Sequence, residues 1–198
     1  MKHSQRGYTL VELSIVLAII AVVIAGSITG VQGILRSNST VRTIAATNKA
    51  VGAISLKLMR DANYTNATND NLTNASMGIW ESKDVNGATV TNAYGGQVFV
   101  APLAATAYGV TALQGYIYLI TGVPTPACVD LVMGLEPLAV AIGVKNESPL
   151  GASAANAIYG TAVKLPGTAL TSTALIAQCA PAGADTGYVD VTLLIPRS

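Results

Sequence analysis

The chain has 198 residues and a formal net charge of +1, with 51% apolar and only 11% charged residues. That balance leaves no electrostatic case for nucleic acid or anionic lipid as a main partner, and the length suits one domain with an appended element. A surface so poor in charge, with Thr, Asn, Ala and Gly supplying its small and polar positions, suits packing against copies of itself.

The chain begins with a short basic stretch, MKHSQRG, followed by YTLVELSIVLAIIAVVIAGSITGVQGIL, in which Glu12 is the single charge. The run is long enough to cross a bilayer as a helix. A secretory signal has a shorter apolar core and a small-residue cleavage site at its far end, and an acidic residue inside the core is selected against. A plain membrane anchor accounts for the length and the basic flank but leaves Glu12 unexplained, because a carboxylate in lipid is costly and functional by default.

The residues Arg6-Gly7-Tyr8-Thr9-Leu10-Val11-Glu12-Leu13 resemble the N-terminal signature of the type IV pilin family: a basic leader ending in Gly, a hydrophobic residue, then Thr-Leu-x-Glu. The resemblance implies that a prepilin peptidase removes residues 1–7 by cutting after Gly7 and methylates the new amino group of Tyr8. Glu12 would then neutralise the N-terminal cation of a neighbouring subunit in the fibre. Physical reasoning supports that role, since an unpaired carboxylate in a low-dielectric helix bundle is costly whereas one facing an ammonium sets register.

No proline precedes Pro102, so one helix is expected from about Tyr8 to about Asp61, spanning roughly 80 Å. Residues 8–36 form its hydrophobic transmembrane or filament-core half, expected to project. Past Arg36 the pattern turns amphipathic, with Val41, Ile44, Val51, Ile54 and Leu58 as the face that packs on a globular head covering residues 37–198. Gly26, Gly30 and Gly33 read either as a soft stretch that can unwind or as tolerated small residues.

From Ala62 to about Asn92 the sequence is rich in Asn, Thr and Asp and reads as a long loop anchored by Ile79 and Trp80. Its Asn-x-Ser/Thr triplets at Asn63, Asn66, Asn71 and Asn74 read as composition. NAYGGQVFV (Asn92 to Val100) reads as a turn into a strand. Further strands are expected at Gly115 to Thr121, Leu138 to Lys145, Ala157 to Leu165 and Gly187 to Pro196. Short helices are expected within Pro124 to Pro137, from the Val129, Val132, Met133 and Glu136 spacing, and within Ala169 to Gln178. The fold class is α+β, an antiparallel sheet laid on the C-terminal half of the long helix. Cys128 and Cys179 lack metal-ligand spacing; in an exported protein they read as one disulfide, with two free buried thiols as the alternative. The head is similar to the larger type IVb pilins, in which an aromatic-Gly-Gly turn precedes a strand and two cysteines bracket a long variable segment.

The only histidine is His3, acidic residues beyond Glu12 are scattered singly (Asp61, Asp70, Glu81, Asp84, Asp130, Glu136, Glu147, Asp185, Asp190), and no P-loop, GxGxxG, GxSxG or HExxH motif occurs. The chain is therefore read as no enzyme, with no catalytic residues, metal or cofactor. The resemblance implies the structural subunit of a type IV pilus. It would sit in the bacterial inner membrane as a precursor, meet the prepilin peptidase and the inner-membrane assembly machinery, and join copies of itself in an extracellular filament. A minor pilin or a type II secretion pseudopilin would share the N-terminal signature. A single-pass membrane-anchored binding protein would instead need a cluster of convergent polar groups, and none is visible.

Overall fold

The computed structural model describes residues 9–146, 157, 158, 160–180 and 187–197, without the side chains of residues 28–30 and 32. The chain divides into two compact units, Met1–Asn38 and Ser39–Ser198. The expected leader, with Gly7 and Tyr8, lies outside the described residues.

Helix α1 (Leu10–Lys57) begins in the first unit and ends in the second. In the first unit its described large apolar side chains, among them Leu10, Ile15, Ile20, Val31 and Leu35, are exposed. So many Val and Ile side chains would suit a strand in water. In an apolar solvent a lone segment must satisfy its backbone internally, which a helix does. Its serines add no unmet demand, because Ser14 Oγ donates to the Val11 carbonyl at 2.8 Å and Ser27 Oγ to the Val23 carbonyl at 2.7 Å.

In the second unit α1 buries Thr40, Thr43, Thr47, Ala50, Val51 and Ile54, and Leu58 is buried just past its end. This corrects the expected face at one position, since Val41 is 62% exposed. One residue is 100° of helix, so a face centred on Thr40, Thr43 and Thr47 leaves Val41 pointing away. The threonines are inside because tyrosine hydroxyls meet them: Tyr94 Oη donates to Thr40 Oγ1 at 2.8 Å, and the Tyr118 hydroxyl faces Thr47. Tyr116 Oη donates to the Val51 carbonyl at 3.4 Å. Helix α1 stops at Lys57, short of Asp61, and Arg197 from the end of the chain donates through Nη2 to the Met59 carbonyl at 3.1 Å. A cation there complements the negative end of the helix dipole. Its guanidinium also lies 5.9 Å from the centroid of the Tyr64 ring, which meets Tyr116 edge-on at 5.1 Å.

The Asn/Thr-rich segment contains more structure than a loop. A short helix α2 (Asn69–Leu72) and a hairpin of β1 (Val85–Asn86) and β2 (Thr89–Thr91) lie within it. Ile79 is buried and Trp80 packs against the core, as expected, with Tyr64, Ala67 and Leu72 as further anchors. Gly87 turns the hairpin with φ +61, which favours glycine. Asn69 extends the sheet edge where β2 ends: its Nδ2 donates to the Val98 carbonyl at 2.9 Å and its Oδ1 accepts from Val100 N at 2.6 Å.

The remaining elements are β3 (Gln97–Pro102), β4 (Gly115–Pro124), α3 (Thr125–Leu135), β5 (Ala141–Asn146), β6 (Thr161–Lys164), α4 (Ser172–Cys179) and β7 (Tyr188–Pro196). β5 starts later than Leu138 because Pro137 sits in a 3₁₀ turn, Glu136–Leu138. Helix α3 buries Ala127, Cys128, Leu131, Val132 and Leu135, whereas Met133 is exposed. The seven strands form one sheet in the order β1-β2-β3-β4-β7-β5-β6, with every pairing antiparallel. The last strand is thus in the interior of the sheet, between β4 and β5. Where β4 bulges between Ile120 and Val123, buried Asp190 on β7 accepts a hydrogen bond from Gly122 N at 3.1 Å through Oδ1. The main core fills the face toward α1 and α3; Leu103, Val110, Ile117, Ala141 and Leu194 form a smaller cluster.

Candidate functional site

The candidate site is the N-terminal end of α1. Helix α1 starts at Leu10 because Thr9 and Glu12 cap it reciprocally. The Glu12 amide donates to Thr9 Oγ1 at 3.3 Å, while Glu12 Oε2 accepts from the Thr9 amide and the Thr9 hydroxyl, each at 3.1 Å. Two otherwise unsatisfied amides of the first turn are thereby met, and the carboxylate sits at the positive end of the helix dipole. The Thr-x-x-Glu spacing signals this box in the sequence, yet the reading of Glu12 as an assembly group passes over it. The cap pulls the carboxylate toward the start of the helix, the end that Gly7 and Tyr8 precede.

Behind the cap, Leu10–Ser27 is long and apolar enough to cross a membrane, and none of it is buried within the chain. Glu12 is the only charge there. This surface can be accepted by lipid or by other apolar helices; water disfavours it.

In the second unit the aromatic-Gly-Gly turn joins loop, sheet and helix. Asn92 Oδ1 accepts from Tyr94 N at 2.9 Å and Gly96 N at 3.2 Å, and its Nδ2 donates to the Thr121 carbonyl at 2.8 Å. A Cβ on Gly96 would lie 1.9 Å from that same carbonyl oxygen, so only glycine fits. Burial raises the Tyr94 hydroxyl above the usual tyrosine range, opposed by its bond to Thr40. Neither Asn92 nor Asn69 stood out in the sequence, because a bonding Asn and a surface Asn look alike in so Asn-rich a segment.

Cys128 on α3 and Cys179 at the end of α4 are joined as a disulfide, with Cα atoms 5.6 Å apart and both residues buried. The bridge encloses β5 and β6. Among the described residues no group of three or more His, Cys, Asp or Glu side chains is placed to hold a metal ion.

Residues 31–186 match the family described as PilS N terminal, and residues 2–28 match the prokaryotic N-terminal methylation motif. The major structural subunit of bundle-forming pilus from Escherichia coli O111:H- is 29% identical over 168 residues, covering 82% of this chain and 84% of that protein. The subunit of the same name from Escherichia coli O127:H6 is likewise 29% identical over 168 residues. Among solved structures, TcpA, a type IV pilin from Vibrio cholerae El Tor biotype, shares the fold. Its TM-score is 0.55 at 17% identity, with 79% of this chain and 98% of that chain covered.

Proposed function

Since the chain belongs to the PilS family, its similarity covering most of the head, we propose that it is a type IVb-like pilin, the structural subunit of a type IV pilus. The observation that carries this is the junction of three parts in one polypeptide. A methylation motif is followed by the Thr9 and Glu12 cap, then by an exposed apolar helix that runs on, unbroken, into the head.

A prepilin peptidase cuts after Gly7 and the new amino group of Tyr8 is methylated. Cleavage leaves an ammonium one residue before the cap, so each subunit carries a cation and the Glu12 carboxylate near one end of its apolar helix. In the filament that carboxylate answers the ammonium of a neighbouring copy, and lipid around Leu10–Ser27 is replaced by other helices. The precursor is held in the bacterial inner membrane, where the assembly machinery takes it up, and the product is an extracellular filament of identical copies. The role is structural, not catalytic. Low surface charge and a buried disulfide suit an exposed fibre.

Intact mass and N-terminal sequencing of protein sheared from expressing cells test this. The expected chain begins at N-methylated Tyr8 and is two hydrogens lighter than its sequence for the disulfide. A chain that still begins at Met1 and stays in the membrane, in cells with an active prepilin peptidase, would refute it.

A further inference from the structure

The segment between α1 and β1 carries four Asn-x-Ser/Thr triplets, at Asn63, Asn66, Asn71 and Asn74. An Asn-rich composition accounts for their number, but the fold treats them unequally. The middle residues of the first three are Tyr64, Ala67 and Leu72, each at most 2% exposed and part of the main core. Two of these asparagines also engage their amide nitrogens within the chain: Asn66 Nδ2 donates to Asp61 Oδ2 at 3.1 Å, and Asn71 Nδ2 to the Asn66 carbonyl at 3.3 Å. In the fourth triplet Asn74, Ala75 and Ser76 are all exposed. Elsewhere, the triplet at Asn38 lies inside α1 and ends on buried Thr40, and the one at Asn146 runs outside the described residues.

The Asn74 side chain is held by its oxygen and left open at its nitrogen. Oδ1 accepts from Ser76 N at 3.0 Å and from Ser76 Oγ at 2.9 Å, and the Asn74 carbonyl accepts from Met77 N at 2.9 Å. Nδ2 makes no hydrogen bond among the described residues. Beside it a groove of about 260 Å³ is lined by Asn74 itself, Gly78, Trp80 and Ser82, among others.

Resting on the reading of a head exported across the inner membrane, we propose that Asn74 is an N-glycosylation site and that the first sugar of its glycan lies in this groove. The donor class is a lipid-pyrophosphate-linked oligosaccharide, brought by a membrane-bound transferase. Asn74 Nδ2 forms a bond to C1 of the sugar as the bond from C1 to the pyrophosphate oxygen breaks. The lipid pyrophosphate leaves with the bonding pair, and a base of the transferase takes one Nδ2 proton. The two Ser76 donors face the oxygen on which charge gathers as that proton departs. A transferase takes the asparagine and the hydroxyl residue together from a surface loop. The three neighbouring triplets could follow only by drawing Tyr64, Ala67 or Leu72 out of the core. In the groove the Trp80 indole offers an apolar wall to the C–H face of the sugar, and Ser82 a hydroxyl to its O–H groups.

The full chain is purified from membranes of the cells that make it naturally, alkylated under denaturing, non-reducing conditions and digested with trypsin. All four triplets of the segment fall in one peptide, residues 61–83. That peptide is expected to carry an added sugar mass, and fragmentation to place it on Asn74. Asn74→Gln and Ser76→Ala are expected to lose the mass, Ser76→Thr, which keeps the hydroxyl, to retain it, and Asn71→Gln to leave it unchanged. Trp80 is the chain's single tryptophan, so acrylamide should quench its fluorescence less in the glycosylated chain than in Asn74→Gln, with circular dichroism checking that the variant is folded. An unmodified peptide from a chain whose Cys128 and Cys179 resist alkylation would overturn the proposal and leave export standing. An unmodified peptide with both cysteines alkylated would overturn the two together. Sugar on any other residue in place of Asn74 would refute the acceptor, and equal quenching would refute the seat in the groove.

Discussion

Removing the Cys128–Cys179 bridge, by Cys128→Ala with Cys179→Ala, tests how the head is held together. The two cysteines are 51 residues apart in sequence, and on the chain-entropy model closing a loop of that size contributes about 4 kcal/mol. Both residues are buried, so losing two sulfurs from a packed site adds roughly 1–2 kcal/mol. A total near 5 kcal/mol is a large fraction of a domain stability of about 5–15 kcal/mol. At roughly 2–4 °C per kcal/mol for a domain of this size, the melting temperature should fall by about 10–20 °C. The bridge encloses β5, and β5 pairs along β7 inside the sheet, so the loss should be felt by the whole head in one cooperative transition. Thermal unfolding of the full chain in detergent, followed by circular dichroism, reads this out, with reduced wild type as the parallel case. A fall under about 3 °C, or a small early transition with the main one unmoved, would show that the enclosed segment is a peripheral flap.

Three further outcomes are expected. Glu12→Gln keeps an acceptor able to close the box with Thr9 but lacks the charge, so sheared filament should drop at least tenfold; Thr9→Val loses the hydroxyl cap at about 1 kcal/mol and should reduce yield only modestly. Equal yields from Glu12→Gln and wild type would remove the charge pairing from the assembly account. Gly96→Ala would place a Cβ 1.9 Å from the Thr121 carbonyl oxygen and should cost more than Gly95→Ala, whose open surroundings leave only the strain of φ +86, about 1–2 kcal/mol; equal melting shifts would contradict this close approach. Burial raises the hydroxyl pKa of Tyr116 and Tyr118. Folding therefore favours the protonated forms: their stability is intact below the unfolded value near pH 10 and falls above it, by about 2.7 kcal/mol per pH unit for the pair. Tyrosinate absorbance from these two should appear only with unfolding, and their reversible ionisation near pH 10 in a folded head would refute the burial argument.

Local pattern was sufficient for much of this protein. A proline-free apolar run has few physical solutions, so the helix and its exposed apolar surface could be read directly. Strands β4 and β7 were legible because their β-branched and aromatic runs are bounded by Gly and Pro, and the cysteine pairing followed from count and spacing in an exported chain. The Thr9 and Glu12 cap was also written there in its spacing, as was the glycine turn at Gly87, although a reading by hydrophobic period passed over both.

Tertiary structure decided what depends on partners far apart in the chain. Apolarity alone put Val41 on the packed face and did not single out the threonines; three tyrosines from distant segments brought those in by meeting hydroxyls and backbone. Asn69 and Asn92 became structural only once β3 and β4 supplied carbonyls for them to bond. The place of β7 between β4 and β5 follows from pairing energies summed over whole strands, which no local window contains.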